Sequence, residues 1–363
     1  MRLLSPILQR MVYPALGSMG YFHSRSASDV SVVTYHGVLP NGYRNKYPLL
    51  DDALMSQAAF RSQLQLLKKY YNVISPDQFL GWLRRQAGLP ERAVLLTCDD
   101  GLLNHLTVML PILQQAGLKC LFFVTSAPLV GNPTDTPEML WHTELYLMLM
   151  EAPEQDKPFT LLGTPIPGIS CDPSQRRILW LELMRVMSRM DAEARRMFIE
   201  EGAAIFGLHP AWKSRLLDDP LLRARFQALG LLELKQLADA GMTIGAHTLS
   251  HPVLAEQSTD LARAEIAECR TGLEHALGRP VWSIAYPFGD PASVGEREFA
   301  LAEEAGYECA FVNVGGVLNS TSPRFAFPRI HVTAAMSASV YEAYISGFHH
   351  ALRSRFRSYR KAA

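Results

Sequence analysis

The sequence has few cysteines, no excess of charge of either sign and no long apolar run. Its cysteines (Cys98, Cys120, Cys171, Cys269 and Cys309) form no C-x-x-C pair and leave one odd thiol, which argues against a disulfide framework. Basic and acidic residues balance at 35 each, so the chain has no basic field and we expect no nucleic acid partner. No apolar run approaches the length of about eighteen residues that a membrane span needs, so no transmembrane segment is expected.

The first 29 residues are interpreted as an N-terminal leader. Arg2 and the apolar residues after it resemble the start of a signal peptide, but Arg10 and Pro14 interrupt what would be its apolar core. A frayed or amphipathic leader is therefore favoured over export, and contact with a membrane surface is an alternative. Together with the free thiols, this favours a cytoplasmic location. The oligomeric state is not predicted.

Strand and helix patterns alternate through residues 30–340. Short β-branched or aliphatic runs, such as VSVVTYH and AVLLTC, are each followed by an amphipathic helical pattern, and several of those patterns end at glycine. Such βα units predict parallel strands ringed by helices, as a barrel or a doubly wound sheet. Between 130 and 232 this alternation stops, and long Met- and Arg-rich helical patterns predict a helical insertion, as a lid or a partner surface. Residues 341–363 are predicted to be a basic helical tail.

Two adjacent acids end the apolar stretch VLLTCDDG. Asp99 and Asp100 follow a predicted buried strand directly, and like charges in such a place cost free energy unless something binds them. On its own an Asp-Asp pair is usually a helix cap or a surface turn, so a second observation is needed to interpret it.

That second observation is the segment GAHTLSHP, in which His247 and His251 lie four residues apart after another predicted strand. If the segment takes one helical turn, both imidazoles face one cation, and Asp100 completes a His-His-Asp set with open positions for water. A lone H-x-x-x-H is often incidental. Because active sites collect at the strand ends of parallel α/β proteins, the two features together favour a catalytic metal site. Asp99 would then be a general base for the metal-bound water.

The motifs TCDDG and HTLSH resemble those of the NodB-type polysaccharide deacetylases, carbohydrate esterase family four. The family pattern T-F-D-D-G is matched with Cys98 in place of Phe, and H-[ST]-x-x-H is matched throughout. The YH at 35–36, the AYPFG at 285–289 and the PRI at 328–330 are similar to segments of a subset tied to cell-surface polysaccharide synthesis. The resemblance covers 30–128 and 233–335.

This resemblance implies a distorted (β/α) barrel with the helical insertion outside the shared pattern. It implies metal-dependent removal of an N-acetyl group from an amino sugar of a polysaccharide or glycan precursor, in envelope, capsule or lipopolysaccharide metabolism. Asp99 would be the base, and Asp100, His247 and His251 would bind a divalent cation, with zinc as the first candidate. The backbone N–H of Tyr286 would help to stabilise the oxyanion.

The chain departs from the family in two places. The stretch SIAYPFG lacks the arginine that orients the catalytic aspartate in many members, and Arg329 is the candidate substitute, with a surface salt bridge as the alternative. No late L-x-H histidine is present, and His331 in PRIHV is the candidate general acid, with a strand residue satisfied by a backbone bond as the alternative. His36 would face the same pocket or be a hydrogen-bonded core histidine.

Other interpretations remain open. The same machinery would serve an amino-sugar deformylase or an O-acetyl esterase, and a different class is a catalytically silent glycan-binding or scaffold protein. Cys98 is interpreted as a buried packing residue, and Trp141 as insertion packing in preference to sugar stacking. The remaining candidates, His105, His142 and His209, are interpreted as structural or exposed.

Overall fold

The computed structural model of the protein describes residues 7–22, 30–44, 46–130, 139–333 and 335–353. The strands are β1 (Ser31–Tyr35), β2 (Val38–Leu39), β3 (Met55–Ser56), β4 (Asn72–Ile74), β5 (Ala93–Cys98), β6 (Leu121–Val124), β7 (Phe159–Leu161), β8 (Thr164–Ile166), β9 (Thr243–Ala246), β10 (Ser283–Ala285), β11 (Cys309–Val312), β12 (Phe327–Pro328) and β13 (Ile330–His331).

Parallel strands form a nearly closed barrel. The hydrogen-bonded order is β12-β11-β10-β9-β6-β5-β1-β13, and β4 pairs with β5 outside that path. Only Arg329 separates β12 from β13, so the chain from 327 to 331 pairs with β11 through Phe327 and with β1 through Ile330. The two ends of the path are thus adjacent in the chain. The predicted barrel is confirmed, and the doubly wound alternative is wrong.

The barrel strands are apolar because both of their faces are covered. Every residue of β1, β5 and β6 is buried, as expected for parallel strands with side chains inside and helices outside. Alternate residues, among them Val32, Leu95, Phe123 and Phe311, form one cluster, and their neighbours along the strands pack into a second cluster with the helices. Asp99 has the same parity as Leu95, so it extends the inner face of β5 beyond the strand end.

Helices surround the barrel between successive strands. They are Pro48–Asp51, Gln57–Tyr70, Pro76–Leu83, His105–Met109 continuing into Leu110–Ala116, Ala127–Val130, Leu231–Asp239, Leu254–Glu256, Thr259–Leu277, Glu296–Glu304 and Ala338–Ile345. Ser75 begins one helix with a reciprocal capping box to Gln78, and Gly278 ends another with φ 63°, a left-handed conformation that glycine adopts without strain.

The insertion folds around its own apolar core. Its helices are Trp141–Glu151, Pro173–Met187, Ala192–Ile205, Trp212–Leu217 and Pro220–Phe226, and β7 and β8 form an antiparallel hairpin between the first two. Leu145, Met148, Leu183 and Phe198 are among the residues of that core. The sequence patterns predicted the helices but not the hairpin, and residues 131–138 lie outside the described part.

The first and last described segments of the chain lie against each other. Residues 7–22 of the predicted leader form the helical segments Leu8–Val12 and Tyr13–Ser18, which pack on the helix Ala338–Ile345 through Tyr13 and Val340. That helix crosses the predicted boundary at 340, while 1–6, 23–29 and 354–363 of the predicted leader and tail lie outside the described residues. Within the described ranges, no helix has the length and apolarity to cross a bilayer.

Candidate metal centre and catalytic base

The site is built from sharp turns that follow β5, β9 and β10. Asp100 has φ 81°, and Gly101 has φ 65° with so little space that an added Cβ would lie 2.7 Å from a Val124 methyl. Thr248 and His251 also have positive φ, at 63° and 58°. Left-handed backbone at non-glycine residues costs free energy and is often found at functional sites. The condition of a helical turn at 247–251 is therefore not met: a loop with left-handed backbone brings the two imidazoles together.

Asp100, His247 and His251 form a compact donor cluster. Asp100 Oδ1 lies 3.6 Å from His247 Nε2 and 3.5 Å from His251 Nε2, and all three donor atoms lie within 4.8 Å of one another. Ligand atoms on a tetrahedral zinc ion are about 3.4 Å apart at the usual bond lengths. The spacing therefore fits a single divalent cation bound by two imidazoles and one carboxylate.

The environment favours the ligand forms of these side chains. His247 Nδ1 lies 2.7 Å from the carbonyl oxygen of Ala285, which only accepts, so Nδ1 carries the proton and Nε2 is free to bind a metal. Burial alone would raise the pKa of Asp100, but the neighbouring imidazoles of His247 and His251 hold it well below its usual range. Burial lowers the pKa of His251, which favours the neutral imidazole that binds metals.

Asp99 lies outside this ligand cluster and pairs with Arg329. Arg329 donates from Nη1 to Asp99 Oδ1 at 2.6 Å and from Nη2 to Oδ2 at 2.7 Å, with a further bond to Thr34 Oγ1 at 3.1 Å. Arg329 is 0% exposed, so the alternative of a surface salt bridge is wrong. Burial raises the pKa of Asp99, but the charge of Arg329 more than offsets this and leaves the pKa below its ordinary value. The carboxylate is ionised and fixed in orientation by two parallel bonds.

His36 and His331 lie side by side near the two aspartates. Their ring centroids are 4.6 Å apart, and His36 Nδ1 and His331 Nε2 are buried without a partner in the described ranges. These contacts do not support the alternatives of a hydrogen-bonded core histidine or a backbone-satisfied strand residue. Burial, with a smaller contribution from His36, lowers the pKa of His331 to about 4. His331 is thus neutral near pH 7, and its role as general acid stays a prediction.

The expected oxyanion donor is placed differently. The N–H of Tyr286 donates to the carbonyl of Phe311 at 3.1 Å, so the expectation that it faces an oxyanion is wrong. Phe288, two residues later, has φ 60°, and its ring centroid lies 5.1 Å from that of His251. In the described part of the chain the N–H of Phe288 has no hydrogen-bond partner. Phe288 belongs to the same AYPFG motif as Tyr286, and its N–H is the one left available there.

The insertion contacts the loop 247–251 directly, and sequence reasoning missed this contact. Trp141 Nε1 donates to the backbone oxygen of His251 at 2.8 Å, and the His142 ring centroid lies 5.0 Å from that of His251. Arg195 donates to Ser250 Oγ at 2.7 Å and stacks over the Trp141 ring. The only sequence signal was the polar pair Trp141-His142 at the start of a long apolar helix.

Cys98 is a buried thiol next to Asp99. Its sulfur lies 3.2 Å from His105 Nε2, and burial raises the pKa of the thiol well above its usual value. A neutral thiol is a poor nucleophile, which agrees with the interpretation of Cys98 as a packing residue. Cys171 is exposed, and the other four cysteines are buried and free.

Comparison with known sequences identifies relatives of this arrangement. A family model described as polysaccharide deacetylase matches residues 227–310, which include His247, His251 and the AYPFG motif. YxkH of Bacillus subtilis (strain 168), named for the same family, is 26% identical over 113 residues. That match covers 31% of this chain and 39% of YxkH, so the chain spans about two fifths of that relative's length.

Solved structures show the same fold. The Streptococcus pyogenes deacetylase PplD, in complex with acetate, has a TM-score of 0.54 at 16% identity, covering 87% of this chain and 98% of PplD. IcaB from Ammonifex degensii has a TM-score of 0.54 at 17% identity, covering 88% of this chain and 98% of IcaB. These structures confirm the predicted barrel fold, and the family model over 227–310 confirms the predicted resemblance to polysaccharide deacetylases.

Proposed function

We propose that this chain is a metal-dependent hydrolase that removes an N-acetyl group from an amino sugar of a polysaccharide or glycan precursor. The observation that carries the proposal is the division between the two aspartates. Asp100 lies in the donor cluster with His247 and His251, whereas Asp99 is held beside it by Arg329. A binding protein has no use for an oriented carboxylate that binds no metal, so this arrangement favours catalysis over a silent scaffold.

A divalent cation at the Asp100–His247–His251 cluster would lower the pKa of a bound water and polarise the acyl oxygen. Asp99 would accept the proton of the attacking water, and this role is supported by the bonds from Arg329 that fix the direction of its carboxylate and by its burial from bulk solvent. The N–H of Phe288, which has no hydrogen-bond partner in the described part of the chain, would donate to the oxyanion in place of that of Tyr286. A neutral His331 donates to the leaving amine only after it has received a proton, so it would act late in the reaction.

Zinc is the first candidate for the cation, because two imidazoles and a carboxylate with open positions suit it, although such sites also accept other divalent ions. A substrate in envelope, capsule or lipopolysaccharide metabolism is a proposal that rests on the AYPFG and PRI segments, which resemble those of a subset tied to cell-surface polysaccharide synthesis. Four buried free thiols support a reducing compartment and hence a cytoplasmic location.

Acyl release tests the proposal. The purified protein, stripped with a chelator and then supplied with zinc, cobalt or manganese, is incubated with N-acetyl, N-formyl and O-acetyl amino sugars and their short oligomers. Metal-dependent acetate release from the N-acetyl sugars supports the proposal. Formate release alone would favour the deformylase, and cleavage of the ester alone would favour the esterase. Saturable glycan binding without any release would favour the scaffold.

A further inference from the structure

Ser250, inside the loop 247–251, lies between two side chains of opposite charge. Arg195 of the insertion helix Ala192–Ile205 donates from Nη2 to Ser250 Oγ at 2.7 Å. The same hydroxyl donates to Glu265 Oε1, and the N–H of Ser250 donates to Glu265 Oε2 at 2.8 Å. Glu265 belongs to the barrel helix Thr259–Leu277. The hydroxyl accepts from one charged group and donates to the other, and we call these three side chains the Ser250 bridge.

Both charged partners of the Ser250 bridge are buried. Arg195 is 2% exposed and Glu265 is 8% exposed. A buried charge costs free energy unless hydrogen bonds and an opposite charge compensate it. Burial lowers the pKa of Arg195 and raises the pKa of Glu265, and the attraction between the two groups opposes both changes. Each charge therefore depends on the other, and the hydroxyl of Ser250 joins them.

The loop that carries Ser250 needs contacts of this kind. Thr248 and His251 have positive φ, and such backbone persists only where the surrounding structure holds it. Inside the loop, the N–H of His251 donates to Thr248 Oγ1 at 3.1 Å. The barrel helix adds a bond from the N–H of Leu249 to the backbone oxygen of Glu265 at 3.0 Å. Ser250 comes directly before His251, so the Ser250 bridge holds the neighbour of a residue in the donor cluster.

Arg195 also supports a contact with His251 itself. Its guanidinium carbon lies 5.1 Å from the centroid of the Trp141 ring, within the range of a cation–π contact. Trp141 Nε1 in turn donates to the backbone oxygen of His251 at 2.8 Å. One buried arginine of the insertion therefore acts on two successive residues of the loop, on Ser250 through a hydrogen bond and on His251 through Trp141.

We propose that Arg195 and Glu265 are positioning residues that hold His251 in its metal-binding orientation, so that the insertion sets the affinity of the donor cluster for its cation. Partners that orient metal ligands from outside commonly change metal affinity by about 10- to 100-fold. The inference rests on the proposed function, because it concerns the same donor cluster. It depends on metal binding alone and not on the acyl group that is cleaved.

The zinc affinity of the full chain tests the Ser250 bridge. The dissociation constant is measured without substrate, by competition with a chelator, and thermal unfolding of the metal-free protein is followed on the same preparations. Arg195→Met keeps a long side chain but removes the charge and the bond, and should raise the dissociation constant by about tenfold or more. Glu265→Gln removes the opposite charge and should also raise it. Arg195→Lys keeps the charge and one donor, so it should recover part of the affinity and serves the same comparison if Arg195→Met does not fold.

Arg176→Met is the matched control. Arg176 is a second buried arginine of the insertion, and its guanidinium donates to three backbone oxygens within residues 149–152. These bonds lie at the end of the helix Trp141–Glu151 that is remote from Trp141. Arg176→Met should therefore lower the unfolding temperature of the metal-free protein and leave the zinc dissociation constant near that of the wild type.

A double-mutant cycle shows whether Arg195 acts through the loop. Arg195→Met and Ser250→Ala together should weaken zinc binding by less than the sum of their separate free-energy changes, because both break the same contact. The proposal is overturned if these changes are additive, if Arg195→Met and Glu265→Gln bind zinc as the wild type does, or if Arg176→Met weakens zinc binding as strongly as Arg195→Met. A wild type that binds zinc but releases no acyl group would overturn the proposed function alone, and a wild type that binds no divalent cation would overturn both.

Discussion

Replacing Arg329 by lysine tests whether the buried arginine orients the catalytic carboxylate. Arg329 makes two parallel bonds to Asp99, at 2.6 and 2.7 Å, and both groups are buried. Lysine keeps the positive charge but cannot form two parallel bonds in a fixed plane. Loss of one charge-assisted bond costs about 1.5–3 kcal/mol. If the transition state loses the same amount, kcat/KM falls by about 10- to 150-fold.

The pH profile gives a second readout of the same change. Burial raises the pKa of Asp99, and Arg329 is the largest influence that lowers it. A weaker partner offsets less of the increase that burial causes in the pKa of Asp99. The pKa of Asp99 is then higher, so the acid limb of kcat/KM moves to higher pH. Arg225→Lys is the matched control. Arg225 of the insertion pairs at 2.7 Å with Asp51 of the barrel, and both side chains are buried. This variant should lose comparable thermal stability without moving the acid limb.

The reasoning is refuted if Arg329→Lys loses stability as Arg225→Lys does, yet keeps wild-type kcat/KM and an unmoved acid limb. Such a result would make the pair at Asp99 a structural contact alone. Activity is measured as acetate release across pH, and stability by thermal unfolding of the same preparations.

Three further changes test other contacts. Trp141→Phe removes the bond to the His251 carbonyl and should weaken metal affinity by about tenfold or more, measured by competition with a chelator, whereas Trp180→Phe in the same insertion should leave it near wild type. Asp51→Ala should cost about 3–5 kcal/mol in chemical denaturation, because a buried arginine loses its partner, and a cost near zero would contradict the burial of that pair. Cys98→Ala should retain metal and most turnover, and loss of activity with metal bound would point to a catalytic thiol.

The barrel and the metal cluster could be predicted from local sequence features. Short apolar runs ending in polar motifs identify parallel strands, and Asp100, His247 and His251 lie within five residues of the end of such a run. Because the carboxyl ends of the strands meet at one edge of a barrel, these three residues can be predicted to lie close together although they are far apart in the sequence. Arg329 was predictable as a candidate, but its contact with Asp99 depends on the pairing of 327–331 with both β11 and β1, which only the closed sheet shows.

The errors have a common physical cause. The turn at 247–251 depends on left-handed backbone at Thr248 and His251, which no propensity predicts for these residue types. Tyr286 was chosen for its place in a motif, but its N–H donates to the carbonyl oxygen of Phe311. Trp141 reaches the site from the insertion, and such a tertiary contact leaves no periodic signal in the sequence.

Metal content and turnover measured together in Asp99→Asn and Asp100→Ala test the central claim most directly. The account predicts that Asp99→Asn retains one metal ion per chain by elemental analysis and loses at least about 100-fold in kcat. Asp100→Ala should instead lose the metal, because it removes the carboxylate of the donor cluster. If Asp99→Asn turns over within a few fold of wild type, or loses its metal as Asp100→Ala does, the division between a base and a ligand is contradicted.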